Sequence, residues 1–322
     1  LDQRQYESLY KRWLERDPSS RFWTNEIAVE YNMPSSEATR SALRRYRKLI
    51  ESEENINKTL INSKTSVGNA RILVFDLELA PLVCYSFGLW EENIGVDQVI
   101  SDNFIISWSA KLLNNSEIIS DVLTSKEALS KNDYRITKSL MDLLNSCHIL
   151  IGHNIQNYDI KKLNVRLLKN NLPPLTKPQI IDTLLVARQN FSFPSNSLKY
   201  LSKTLGIRTK IETGGFDLWR RCMEGEEESL KLMDEYCQGD ILANEDLYYR
   251  IRPFVKGHPN LSLYFDTNEE RCPNCGSEEL KHEGFYYTPA GKWASLRCEC
   301  GAVSRSKVNE LNKDKKKSLK VN

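Results

Sequence analysis

The sequence predicts an α/β layer fold with a mixed central sheet flanked by helices, and the order of its apolar segments carries that reading. Ile72-Leu73-Val74-Phe75 is a run of four apolar residues, three of them β-branched or aromatic, and reads as a strand buried on both faces. Segments 83–90, 103–113 and 118–122 supply further strand-like stretches. Residues 126–147 carry Ile136, Leu140, Leu143 and Leu144 at helical spacing, then lead into His148-Ile149-Leu150-Ile151-Gly152, a short buried strand. Neighbouring strands, then a helix, then another strand is the order of a layered α/β domain.

At 322 residues the chain has room for one full-sized catalytic domain and one or two small modules. Lys and Arg number 45 against 43 Asp and Glu, so any attraction to nucleic acid must come from local basic patches. No apolar run approaches the length of a bilayer span, and the N-terminus lacks the apolar stretch of a signal peptide. A cytoplasmic protein without a membrane partner is the expectation. The chain begins at Leu1 and not at Met, which leaves a lost upstream segment open.

Residues 1–55 read as a separate helical module. Tyr6, Leu9, Tyr10 and Trp13 recur at helical spacing, Trp23 to Ala28 opens a second short helix, and Asn32-Met33-Pro34-Ser35 turns into a third. In the third, Leu43, Tyr46 and Ile50 form an apolar stripe while Arg40, Arg44, Arg47 and Lys48 gather on another side. This resembles a helix-turn-helix whose basic helix would contact nucleic acid. The plainer alternative is a docked helical hairpin with solvated arginines. Residues 56–69 are polar and read as a linker.

The candidate chemistry begins where the first strand ends. Side chains alternate along a strand, so Asp76 and Glu78 point to one side with Leu77 opposite. Two acids together on a sheet repel and cost desolvation, which a cation between them offsets; an edge strand with a wet face is the alternative. Downstream, His153-Asn154-Ile155-Gln156-Asn157-Tyr158-Asp159 precedes a helix with Leu163 and Leu167 below Asp159 on the same face. Asp159 is thereby directed toward the buried side, or else serves the helix dipole as an N-terminal acid. Asp182 supports the site or caps a helix. The loop 212–215 is placed near substrate. A helix from about Ser229 to Ile251 sets Tyr236 and Asp240 four apart on one face.

Asp76-x-Glu78, Asn154-x-x-x-Tyr158-Asp159 and Tyr236-x-x-x-Asp240, in that order, resemble the three motifs of the DEDD 3′–5′ exonucleases of the ribonuclease H-like superfamily. The likeness is to the tyrosine-bearing branch, which includes proofreading domains of family B DNA polymerases. It implies a ribonuclease H-like domain over residues 70–255. It also implies two Mg²⁺ or Mn²⁺ ions on Asp76, Glu78, Asp159 and Asp240, a water placed by Tyr236, and Asn154 at the nucleic acid. A polymerase would not fit in this length, so a free-standing enzyme or a subunit beside a replication or repair polymerase is implied, acting on DNA ahead of RNA. Hydrolysis of a phosphodiester agrees with this chemistry: hard cations on oxygen ligands activate the nucleophile and neutralise the leaving oxygen. His153 is not needed as a ligand and reads as structural or as a substrate contact. The rival is a non-catalytic nucleic-acid-binding or regulatory protein.

Of eight cysteines, Cys84, Cys147, Cys222 and Cys237 are scattered and read as buried thiols. Cys272, Cys275, Cys298 and Cys300 form two close pairs that resemble the knuckles of a zinc ribbon over 271–308, holding one structural Zn²⁺. The second pair is one residue short of Cys-x-x-Cys, so His282 is an alternative ligand. A linker over 256–270 precedes the ribbon, and a disordered basic tail over 309–322 follows it.

Overall fold

The computed structural model describes residues 3–14, 23–44, 47, 67–90, 92–209 and 215–320. The chain divides into two compact units, Leu1–Ile61 and Asn62–Asn322.

In the first unit, α1 (Gln3–Leu14), α2 (Trp23–Glu30) and α3 (residues 36–44) enclose Leu9, Ile27, Ala42 and Leu43. Asn32 takes the left-handed conformation (φ 49°) that lets the chain reverse after α2, and Ser35 Oγ accepts from Ala38 N at 3.1 Å to cap α3. Lys48 and the remainder of the expected third helix, apart from Arg47, lie outside the described residues.

The second unit is built on a five-stranded sheet of order β5-β4-β1-β6-β7. These are β1 (Ile72–Leu79), β4 (Ile105–Leu112), β5 (Ile118–Val122), β6 (Ile149–Gly152) and β7 (Gln179–Asp182). β1 is antiparallel to β4 and parallel to β6, so the sheet is mixed, as expected. Alternation assigns its two faces. Leu77 pairs with Trp108, whose indole donates to Ile136 O of α5 (Tyr134–Asn145). Asp76 and Glu78 pair with Ser109 and Ser107 on the opposite face, under the long helix α10 (Glu227–Ile251). A helix on each face leaves β1 shielded on both, and Leu73, Val74 and Phe75 have no exposed surface.

Three stretches differ from expectation. The helix over 126–147 is two, α4 (Ser125–Ser130) and α5, because Lys131 turns left-handed at φ 55° and Asp133 starts the second. Of residues 83–90 only β2 (Val83–Cys84) is extended; it pairs with β3 (Val99–Ser101) in a separate two-stranded ribbon, and Tyr85, Phe87, Leu89 and Trp90 are exposed. The basic tail is not uniformly irregular: Asn312 accepts from Lys315 N at 2.8 Å and caps a short helix, Lys313–Ser318.

Helices α6 (Asp159–Lys169), α7 (Thr183–Asn190), α8 (Leu198–Leu205) and α9 (Asp217–Met223) complete the layer. The C-terminal strands β8 (Leu280–Thr288), β9 (Gly291–Cys298) and β10 (Val303–Asn309) form a three-stranded antiparallel sheet. Residues 256–270 are held at both ends of a short 3₁₀ turn: Leu261 N donates to Pro273 O and Asn69 N to Tyr264 O, each at 2.8 Å.

One buried ion pair ties the layer together. Asp133, fully buried, accepts from Arg166 Nε at 2.6 Å and Nη2 at 2.8 Å, from Ile105 N at 2.9 Å and from Asn170 at 2.9 Å, joining α5, α6 and the start of β4. Arg166→Met strips two charge-assisted bonds from a buried carboxylate and should cost about 3–5 kcal/mol, read as a lower urea midpoint. Asp133→Asn combined with Arg166→Met should recover part of that loss, since the uncompensated charge is gone. An unchanged midpoint in the single variant would contradict this account.

Candidate active site and metal centres

Asp76 and Glu78 leave β1 on the α10 face, and Asp240 of α10 comes down to meet them: one ligand oxygen from each lies within 4.8 Å of the others. The helix is held in that register from both sides. Asp234 accepts from Ser107 at 3.3 Å and Ser120 at 3.1 Å, and Glu245 pairs with buried Lys111 at 2.5 Å. Between them, Cys237 Sγ lies 3.6 Å from Asp76 O, so helix and strand are in direct contact beside the acids.

These acids border a cavity of about 260 Å³ that is also lined by Leu77, Leu79, His153, Asn154, Tyr158, Asp159 and Trp219. Asp159 opens α6 and is buried; its carboxyl is hydrogen-bonded by the Leu77 backbone, and burial pushes its pKa up to about 7, with the charge of Asp182 adding to the rise. Tyr158 is raised as well, chiefly by burial and then by the charges of Asp159, Glu78 and Asp76. Four carboxylates around one cavity repel one another, and a cation among them would offset that repulsion.

The loop before α6 is shaped by Asp182, which does both things open to it. Its Oδ1 caps α7 through Leu184 N at 3.0 Å and Leu185 N at 3.2 Å. The same carboxylate accepts from Asn154 N at 3.0 Å and Gln156 N at 3.2 Å. Asn154 is left-handed (φ 67°), and at Gly152 a Cβ would lie 2.7 Å from Ile155, so the chain turns here only without that side chain. His153 has a structural setting: Nδ1 is 2.9 Å from Thr183 Oγ1 and Nε2 is 3.0 Å from Asn196 O.

Tyr236 is not among the residues lining the cavity. It is half-buried, one turn before Asp240, with its ring edge-on to Trp219 at 6.0 Å. Trp219 borders the acids and is absent from the sequence reading; nothing in its short helix marks which face it turns. The loop residues 212–214 lie outside the described residues, and Gly215 is exposed.

The second cluster is sulfur. Cys272, Cys275, Cys298 and Cys300 each bring Sγ within 4.8 Å of the others, with 3.8 Å between Cys272 and Cys300 and 3.5 Å between Cys275 and Cys298. Ligands about 2.3 Å from a tetrahedral centre stand about 3.8 Å apart, so the cluster fits such an ion. The short Cys-x-Cys spacing therefore closes the set without His282, which packs against Phe285 instead. Of the other thiols, Cys147, Cys222 and Cys237 are buried and Cys84 is half-buried.

In the first unit, Arg40, Arg44 and Arg47 do share a side, but Leu43 shares it with them. Together with Tyr10 and Trp13 they line a cavity of about 190 Å³. Among the described residues, no helix is long and apolar enough to cross a membrane.

Residues 98–252 match the family model described as the RNase_H superfamily, a span that includes Asp159, Tyr236 and Asp240 and begins after β1. The chain is 31% identical over 170 residues to the DNA polymerase III PolC-type of Ureaplasma parvum; the match covers 48% of this chain and 11% of that protein. It is similar in structure to the family B DNA polymerase of the hyperthermophilic archaeon Pyrobaculum calidifontis, with a TM-score of 0.43 and 13% identity, covering 70% of this chain and 32% of that one. The mixed five-stranded sheet with helices on both faces, together with the matched span, gives this domain a ribonuclease H-like fold; the domain carries an acidic triad, and the C-terminal segment beyond it a four-cysteine cluster.

Proposed function

We propose that the protein is a divalent-metal-dependent 3′–5′ exonuclease that hydrolyses DNA, ahead of RNA, to nucleoside monophosphates. The observation that carries the reading is the meeting of Asp76, Glu78 and Asp240 within 4.8 Å, with Asp159 on the same cavity. Four hard oxygen donors without histidine or cysteine suit Mg²⁺ or Mn²⁺. Bound there, such ions lower the pKa of water and neutralise charge on the phosphate and the leaving oxygen.

The chain's own residues supply the rest. Asp76, Glu78, Asp159 and Asp240 hold the cations, and burial of Asp159 and Asp240 keeps water from screening their charge. Asn154 and Tyr158, on the same cavity wall, are available to the terminal nucleotide. Tyr236 orients the attacking water from the helix turn before Asp240, with Trp219 supporting its ring. The likeness to a PolC-type polymerase supports work beside a replication or repair polymerase. The four-cysteine cluster holds one structural Zn²⁺, and the arginines of α3 contact nucleic acid.

End-labelled DNA and RNA incubated with Mg²⁺, Mn²⁺ or EDTA should yield mononucleotides from the 3′ end only with metal. Asp76→Asn or Asp240→Asn should lower the rate by several orders of magnitude with folding retained. Tyr236→Phe removes one hydrogen bond and leaves the acids, so its loss should be on the order of 10- to 1000-fold with binding nearly unchanged. Absence of cleavage by wild-type protein, or normal cleavage by Asp240→Asn, would replace this reading with that of a nucleic-acid-binding protein.

Metal analysis of protein purified under reducing conditions should find about one zinc per chain. Cys272→Ser with Cys298→Ser should lose it and loosen residues 271–309, leaving hydrolysis in place. Zinc-free protein with an ordered C-terminal sheet would refute the assignment.

Arg44→Ala with Arg47→Ala should weaken nucleic-acid binding and lower the salt slope by up to about two, while turnover at saturating substrate survives. An unchanged slope would make these arginines a solvated wall of their cavity.

A further inference from the structure

The three-stranded sheet β8-β9-β10 carries more aromatic surface than its folding requires. Its buried cluster is Cys272, Cys275, Cys298 and Ala302, with Leu280 and Cys300 packed alongside. Phe285, Tyr286 and Tyr287 lie outside that cluster and are exposed, and Trp293 is half-buried. Rings left on a surface cost solubility and usually mark a binding site.

Pairing sorts the rings and charges onto faces. Tyr286 pairs with Trp293, Lys281 with Arg297, and Ser295 with Arg305. Along β9, Trp293, Ser295 and Arg297 alternate onto one side, so both rings, Arg305 and Lys281 share it. The geometry confirms this: the Arg305 guanidinium lies 4.5 Å from the Trp293 ring centre and 5.7 Å from that of Tyr286, whose rings are 6.3 Å apart. Gly291 makes room for the indole; a Cβ there would collide with it. Arg297 is engaged by Glu283, whereas no acid among the described residues pairs with Arg305.

We propose that this face binds single-stranded nucleic acid, with unpaired bases stacked on Tyr286 and Trp293 and phosphates drawn to Arg305 and Lys281. Every base offers a π-face and every linkage an anion, so paired rings flanked by cations suit a strand without regard to sequence. Duplex DNA hides its base faces and gains only the cations. The site is separate from the acid cavity and does not depend on hydrolysis.

Titration of a labelled oligothymidylate of about 20 nucleotides, in buffer free of Mg²⁺, Mn²⁺ and chelator so that nothing is cleaved and the metal of the four-cysteine cluster is retained, tests it. Tyr286→Ala and Trp293→Ala should each weaken binding about 5- to 100-fold, and Tyr286→Phe should retain it. Arg305→Gln should lower the salt slope by about one. Tyr287→Ala, on the opposite face, should leave affinity unchanged, and a hairpin duplex should respond less to every ring variant. Metal content and circular dichroism confirm folding; Arg305→Gln, an exposed change, serves if a ring variant does not fold. Wild-type protein that ignores the oligonucleotide, folded ring variants that bind it normally, or an equal loss in Tyr287→Ala would overturn the proposal. Mononucleotide release by wild-type protein in Mg²⁺ is scored separately, so failure here and failure of the nuclease reading remain distinct.

Discussion

Everything in the larger unit answers to one electrostatic constraint: four carboxylates are pressed around a single cavity at the end of a buried strand. Like charges a few ångströms apart would drive α10 and the loop before α6 away from β1 if nothing opposed them. The opposing force is mostly apolar. Leu73, Phe75 and Leu77 are locked from the far side by Leu140, Leu144, Leu163 and Leu167, so β1 cannot retreat from the acids it carries. Burial that fixes the strand also desolvates Asp159, raising its pKa.

Polar contacts then decide where each acid sits. Asp182 joins the cap of α7 to the backbone of the loop before α6, so Asp159 is positioned by a carboxylate that does not enter the cavity itself. Asp234 and Glu245, on either side of Asp240 along α10, are each tied to the sheet. The C-terminal sheet is fastened to the end of that helix: Asn274 donates to Arg252 O at 3.0 Å. The four-cysteine cluster thus sits where α10 stops, as the core of a sheet that has little core of its own.

Much of this was legible in the sequence because burial and alternation write themselves into residue order. The apolar run ending in Asp76 and Glu78, the strand at 118–122 and the short buried strand closing at Gly152 all appear where the pattern puts them. The break in the helix over 126–147 did not, because it depends on Lys131 adopting a positive φ that its side chain does not advertise. β10 escaped notice since Val303-Ser304-Arg305-Ser306-Lys307 has no buried face to create a pattern. Trp219 was invisible for a related reason: its helix is too short for a period, and only the fold shows that it borders the acids.

Tyr236 shows what helical spacing fixes and what it leaves to the fold. Residues four apart on a helix are neighbours, but they are offset by about 40° around its axis, and Asp240 lines the cavity while Tyr236 is not among its lining residues. The Tyr236 ring packs edge-on against Trp219, which itself lines the cavity. In the proposed reaction, a tyrosine placed in this way would contribute at most one hydrogen bond. The acids carry the charge on which binding of a cation depends, so their loss and its loss belong to different orders of magnitude.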